Sequence, residues 1–249
     1  CCSCHSGADV GNYSITDQTE TTADISAKLL TVSGITAANK IYDGNATANV
    51  ETGAAVISGV IDGETVAIDL SGASGSFGDK NVGLAKAVSI EGLTLNGVDA
   101  GNYSIAGQAE TTADITAKAL AVSGLTAANK VYDGNVTATV STAGALLDGL
   151  VAGDAFDVAA SGTFDSKNVG SGKTVTLSSE YSGADVGNYS ITSQASTTAD
   201  IAQKALAVSG LTAANKVYDG NATATVSTAG AVLDGLVAGD AFDVAASGT

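Results

Sequence analysis

The sequence predicts an all-β protein made of small β-sandwich domains in tandem. Three observations carry that expectation. Short motifs return at domain-sized intervals along the 249 residues. The runs between them are rich in Val, Ile, Thr and Ala. Asp-Gly, Ser-Gly and Gly-Asn pairs punctuate these runs roughly every 8–12 residues, the rhythm of sandwiches and barrels.

The repeats set the organisation. Tyr-Asp-Gly-Asn begins at Tyr42, Tyr132 and Tyr218, and Gly-Asn-Tyr-Ser-Ile at Gly11, Gly101 and Gly187. Thr-Thr-Ala-Asp-Ile begins at Thr21, Thr111 and Thr197, so all three series share spacings of 90 and 86 residues. Residues 119–163 and 205–249 differ only at Val136/Ala222 and Leu146/Val232. Solenoid coils and helical repeats have much shorter periods, so each unit is a whole small domain. With Thr-Thr-Ala-Asp-Ile as the last strand, the boundaries fall at 26/27, 116/117 and 202/203. That divides the chain into the C-terminal part of a repeat (1–26), two complete repeats (27–116 and 117–202) and the N-terminal part of another (203–249). The junctions hold no Gly and no spacer, which favours a stiff, elongated array.

Within a repeat the elements follow in order. Lys216-Val217-Tyr218 leads into the turn Asp219-Gly220-Asn221, and Ala222 to Val226 continues with small and β-branched residues. Ala155 to Val158, Lys173 to Leu177 and Tyr189 to Ile191 alternate as half-buried strands do. Leu211 to Asn215 reads as a loop or one helical turn. Asp-x-Gly-x-Tyr-x-Ile recurs with Tyr13, Tyr103 and Tyr189. This is the spacing of the immunoglobulin tyrosine corner, with Ile in the place of the strand F Cys, and it predicts an Ig-like sandwich.

Asn129-Lys130-Val131-Tyr132-Asp133-Gly134, with its copies at 39–44 and 215–220, resembles the YDG-type repeats of bacterial surface proteins. Ala-Leu-Ala-Val-Ser-Gly-Leu-Thr-Ala and Asp165-Ser-Lys-Asn-Val-Gly170 extend the likeness. The resemblance implies a secreted exoprotein of the filamentous-haemagglutinin, two-partner-secretion kind from a Gram-negative bacterium. Its signature residues would be Tyr42, Asp43, Gly44, Tyr132, Asp133, Gly134, Tyr218, Asp219 and Gly220. Such repeats commonly form the stalk of an adhesin, placed outside the cell, with other parts of the protein meeting a host or neighbouring cell. The family usually has Pro near each domain start; here Ala27, Ala117 and Gln203 stand there.

Composition narrows the chemistry. The chain carries 10 basic residues, all Lys, against 26 acidic ones, a net charge of −16, and no Arg. Nucleic acid is therefore a poor partner, and so is an anionic membrane surface. No apolar run approaches a spanning helix, so no membrane insertion is expected. With no Met, the chain is expected to be an internal piece of a longer product. It is expected to be a monomeric rod, its charge keeping like rods apart.

No enzyme is expected, because a triad needs a base and the one His, His5, lies outside the repeats. No cofactor is expected either. Ca²⁺ is the most credible ligand, with Asp133, Asp148 and Asp154 as candidates, although turn-forming Asp accounts for each equally well. Cys1, Cys2, Cys4 and His5 are spaced too tightly for a zinc site and read as an edge feature. Asn12, Asn45, Asn102, Asn135, Asn188 and Asn221 open glycosylation sequons. The signature tyrosines are expected to anchor strand to turn; the alternative is that the repeats bind host glycan or protein through avidity.

Overall fold

The structure, a computed structural model, describes residues 4–106 and 110–249. The candidates Cys1 and Cys2 lie outside these residues. The described chain is all-β, as the alternation predicts, with single 3₁₀ turns at Val10–Asn12, Ala100–Asn102 and Val186–Asn188 and no α-helix among the described residues. No helix of the described residues is long and apolar enough to cross a membrane. Two compact units form. One comprises Cys1–Lys40, Ala46–Asp79 and Leu84–Asp114; the other comprises Ile41–Asn45, Lys80–Gly83 and Ile115–Thr249.

The second unit contains a five-stranded sheet in the order Lys130–Val131, Ser196–Ala202, Gly170–Ser182, Asp157–Phe164, Thr137–Ala138. The Lys130–Val131 edge pairs in parallel, Lys130 opposite Ile201, and the other pairs are antiparallel. A three-stranded sheet places Lys118–Ser123 between Leu146–Asp148, antiparallel, and Tyr189–Thr192, parallel. Alternation along the strands turns Ala138, Phe164, Val175, Ala199 and Ile201 inward, with Tyr132 and Leu177 against them. Each large apolar side chain so buried stabilises the fold by about 1.5–3 kcal/mol. Gly162 is confined by this core: a Cβ there would stand 2.7 Å from Val140 Cγ2 and 2.8 Å from Val175 Cγ1.

The Thr-Ala-Ala-Asn segments differ from expectation. Thr126–Ala127 pairs antiparallel with Val140–Ser141, and Thr212–Ala213 likewise with Val226–Ser227. Small residues read as a turn locally, yet here they let a partner strand approach. The Asn that follows is a fixed device. Asn129 Oδ1 accepts the Asp200 N–H at 2.8 Å, and Asp200 Oδ1 accepts the Gly172 N–H at 2.7 Å. Asp200 thus closes the bulge between Gly170 and Lys173 in the longest strand.

The first unit repeats the plan. Its five-stranded sheet runs from Lys40 through the strands of Glu110, Gly83–Glu91 and Ser74–Phe77 to Thr47–Ala48. Ile35, Ile90 and Leu93 form a core with Val32, Val50 and Ile68 packed on it. Asn39 Oδ1 accepts the Asp114 N–H at 2.7 Å, and Asp114 Oδ1 accepts the Ala85 N–H at 2.7 Å. Ala85, in the place of Gly172, has φ 47°, the left-handed region that disfavours a Cβ.

Candidate functional site

Asp154 is the centre of the densest polar cluster in the second unit. It ends a turn closed by its own N–H on the Val151 carbonyl at 3.2 Å, and its side chain is 3% exposed. Its Oδ2 accepts from the Tyr42 hydroxyl at 2.8 Å and from the Tyr189 hydroxyl at 2.5 Å. Its Oδ1 accepts from Lys80 Nζ at 2.9 Å, and Lys80 reaches Asp185 Oδ1 at 2.8 Å. A buried carboxylate is costly unless paired and hydrogen-bonded, and this one is both. The Tyr42 and Tyr189 rings meet edge-on at 5.5 Å and 76°, and Phe156 meets Tyr189 at 5.9 Å and 81°. Lys80 Nζ stands 5.8 Å from the Tyr42 ring centre.

Local sequence aims each member. The Tyr42 N–H donates to the Thr116 carbonyl at 2.8 Å, which fixes the ring's point of departure. Asp43 then makes an Asx turn, its Oδ1 accepting the Asn45 N–H at 3.1 Å. Gly44 is required twice. Its φ is 83°, and a Cβ would come 2.7 Å from Val151 Cγ1. On the other flank Asn188 Oδ1 accepts the Val82 N–H at 3.0 Å, and its Nδ2 donates to Asn81 Oδ1 at 3.2 Å. Asp185 is held by the Ala155 N–H at 2.9 Å, and the Tyr189 hydroxyl accepts the Val151 N–H at 3.0 Å.

Burial acts to raise the Asp154 carboxyl, but the Tyr189, Lys80 and Tyr42 hydrogen bonds outweigh it and hold the group below its ordinary range. Lys80 pulls Asp185 down as well, and those two carboxylates hold Lys80 far up in its charged form. Burial, then the Asp154 contact, push Tyr189 up to about 12 and raise Tyr42. The cluster is therefore a fixed ionic clasp with two neutral phenols at neutral pH.

The clasp recurs. Tyr132 donates to Asp240, with 2.7 Å to Oδ2, and Lys167 Nζ reaches Asp240 Oδ1 at 3.1 Å. Lys167 lies 5.9 Å from the Tyr132 ring centre, and a Cβ on Gly134 would come 2.7 Å from Val237 Cγ1. The Tyr132 hydroxyl and Lys167 hold Asp240 below its usual range. Tyr42 and Tyr132 thus tie turn to carboxylate over 112 and 108 residues. Tyr218, the third signature tyrosine, is 92% exposed.

The remaining candidates fall into place singly. Asp133 and Asp219 repeat the Asx turn of Asp43 and pair with Lys130 and Lys216 at 2.7 and 2.8 Å. Gly134 and Gly220 share the positive φ of Gly44. The Ca²⁺ candidates are not brought together. Asp133 is on its lysine, Asp154 is in the clasp, and Asp148 ends the strand Leu146–Asp148. Among the described residues no group of three His, Cys, Asp or Glu could hold a metal ion. Cys4 is an exposed free thiol, and His5 meets Asp17 at 3.2 Å.

The tyrosine-corner expectation needs correction. The Tyr189 and Tyr103 hydroxyls bond to N–H groups of Val151 and Ile61, 38 and 42 residues upstream, in place of nearby backbone. Each also donates to a carboxylate, Asp154 or Glu64. Tyr13 is exposed. Lys80, Lys167, Asp185 and Asp240 were given no role by the sequence, and Asn188 was read only as opening a sequon. The available signal was an acidic residue 22 positions after each signature tyrosine, at Glu64, Asp154 and Asp240.

Neither a curated protein nor a solved structure matches the chain. The YDG domain profile matches residues 26–113, 116–199 and 202–249. Spanning nearly the whole sequence in three successive copies, this match shows that the chain belongs to the YDG domain family.

Proposed function

We propose that the repeats are the structural stalk of a secreted bacterial adhesin of the filamentous-haemagglutinin kind. In this reading each repeat is an Ig-like sandwich, and the array is an elongated rod that carries a binding domain away from the cell. One observation supports it above the rest. The signature Tyr-Asp-Gly of one matched repeat is clasped by an Asp of the following one, in Tyr42–Asp154 and again in Tyr132–Asp240. The most distinctive residues are thereby used for holding one repeat to the next. Asp154 and its partners Tyr42 and Tyr189 are buried, as a mechanical joint requires and a ligand surface does not.

Small-angle scattering tests the rod. The chain is expected to give an elongated particle with one dominant length. Asp154→Ala is expected to broaden the distance distribution and lower the mean length, because the joint loses its centre. A compact particle, or a variant indistinguishable from the parent, would overturn the stalk reading.

A further inference from the structure

Lys80 Nζ is held between two carboxylates inside the second unit, to which residues 41–45 and 80–83 also belong. It lies 2.9 Å from Asp154 Oδ1 and 2.8 Å from Asp185 Oδ1. The two carboxylates are not equivalent. Asp154 is 3% exposed, and its Oδ2 takes both phenol hydroxyls, from Tyr42 at 2.8 Å and from Tyr189 at 2.5 Å. Asp185 is 13% exposed, and its Oδ2 takes the Ala155 N–H at 2.9 Å. An amine, a carboxyl with two donors on one oxygen, and a second carboxylate in reach of the amine are the parts of an acyl transfer. All five side chains come from the two matched repeats at 26–113 and 116–199.

We propose that this clasp closes covalently: Lys80 Nζ forms an amide with Asp154 Cγ, and one water leaves. An ammonium proton first passes to Asp154 Oδ1, which leaves a free amine beside a carboxylic acid. The Nζ lone pair attacks Cγ, and the C=O pair moves onto Oδ2, where Tyr42 and Tyr189 donate to the growing negative charge. The attacking nitrogen gives a second proton to Asp185, which passes it to the Oδ1 hydroxyl. Oδ2 re-forms the double bond, the Cγ–Oδ1 bond breaks, and water departs. Lys80 has then lost two protons to one oxygen, Asp185 ends as it began, and no co-reactant is consumed.

Two features drive the step. Holding amine and carboxyl together supplies an effective concentration on the order of 10⁵–10⁸ M in well-oriented intramolecular reactions. The amide also replaces a buried ion pair, whose desolvation is costly. Lys80 is 35% exposed, which leaves the water a way out. Ion pairing keeps both reacting groups charged most of the time, so the bond forms after folding and slowly. Until then the clasp is ionic. The reaction is a single intramolecular turnover. It needs only the clasp geometry and is independent of what the array is for.

Peptide mass mapping of the full chain tests it. Trypsin cannot cut after an acylated Lys80. The expected product joins residues 41–86 to residues 131–167, at their summed mass less about 18 Da, one water. Fragmentation is expected to place the link on Asp154. The product is expected to accumulate over several days after refolding and to be absent from chain kept in urea. Lys80→Arg keeps the charge and is expected to abolish it. Asp185→Asn and Tyr42→Phe are each expected to slow its appearance at least tenfold, the first by removing the proton acceptor and the second by removing a donor on Oδ2. Circular dichroism checks the sheets; where Asp185→Asn disturbs them, Tyr42→Phe, which keeps the ring, carries the comparison. A parent fully cut at Lys80 after that time, a link on Asp185 in place of Asp154, a product that forms equally in urea, or folded variants that link at the parent's rate would each overturn the proposal.

Discussion

The Tyr42 hydroxyl donates to Asp154 at 2.8 Å, across 112 residues of sequence. Tyr42→Phe keeps the ring and its edge-on contact with Tyr189 while removing this bond. A hydrogen bond to a charged group contributes about 1.5–3 kcal/mol. Urea unfolding followed at the second unit is expected to show a loss of that size. Asp154→Asn with Tyr42→Phe is expected to cost less than the sum of the singles, as members of one network do.

The clasp sets a pH window with two edges. Asp154 and Asp185 are held below their ordinary range, so their contribution is complete above the unfolded carboxylate value and is lost as pH falls through the depressed folded one. Tyr189 is raised from 10.0 to about 12, so its contribution is complete below 10 and is lost as pH rises towards 12. Stability is expected to be level across neutral pH and to fall at both extremes. Tyr189→Phe is expected to weaken the alkaline limb, where Tyr42 remains, and to shrink the acid limb too, because Asp154 loses the foremost hydrogen bond that holds it low; thermal melts across the range will read both.

Gly44 and Gly220 separate two demands on one residue type. Both have φ near 80°, but only Gly44 has an apolar side chain 2.7 Å from a would-be Cβ. Ala at either place bears the left-handed strain of about 1–2 kcal/mol. Gly44→Ala is expected to cost more, and hydrogen exchange of Tyr42 and Val151 amides is expected to accelerate. Gly220→Ala is expected to show the strain alone.

Ala85→Gly is expected to stabilise the first unit. Ala85 has φ 47° and Gly172 performs the same bulge at φ 60°, with nothing within 4 Å of its Cβ position. Relief of left-handed strain outweighs the added freedom of the unfolded chain, giving a net gain of about 0.5–1 kcal/mol. A lower urea midpoint would contradict it.

Residues 5–26 and 203–249 are expected to exchange amide protons much faster than the intact sheets. The first stretch holds no strand, and the second holds two-stranded pairs with almost no buried side chain. Two-stranded ribbons are marginal in water by themselves. Equal protection in these segments would contradict this.

Period, alternation and turn pairs made the all-β repeat legible, because those signals are local. The strands at Thr126–Ala127 and Thr212–Ala213 were hidden, since short Thr-Ala pairs carry no alternation and become strands only through their partners. The signature tyrosines read as anchors within their own turn. Their bonding partners lie more than a hundred residues away, beyond any window of periodicity. Tyr189 has corner spacing, yet its hydroxyl follows the nearest buried acceptor, Asp154, which only the folded chain supplies.

Residues 119–163 and 205–249 differ at positions 136/222 and 146/232, and neither pair enters a clasp. The second and third copies therefore carry the same Tyr-Asp-Gly turn and the same Val and Asp that receive it, while the first carries Ile61 and Glu64 in those places. Unequal recombination in the gene can add or delete whole repeats, and each new neighbour arrives with its fastening already matched. The number of repeats can then change without any compensating substitution at the fastening residues.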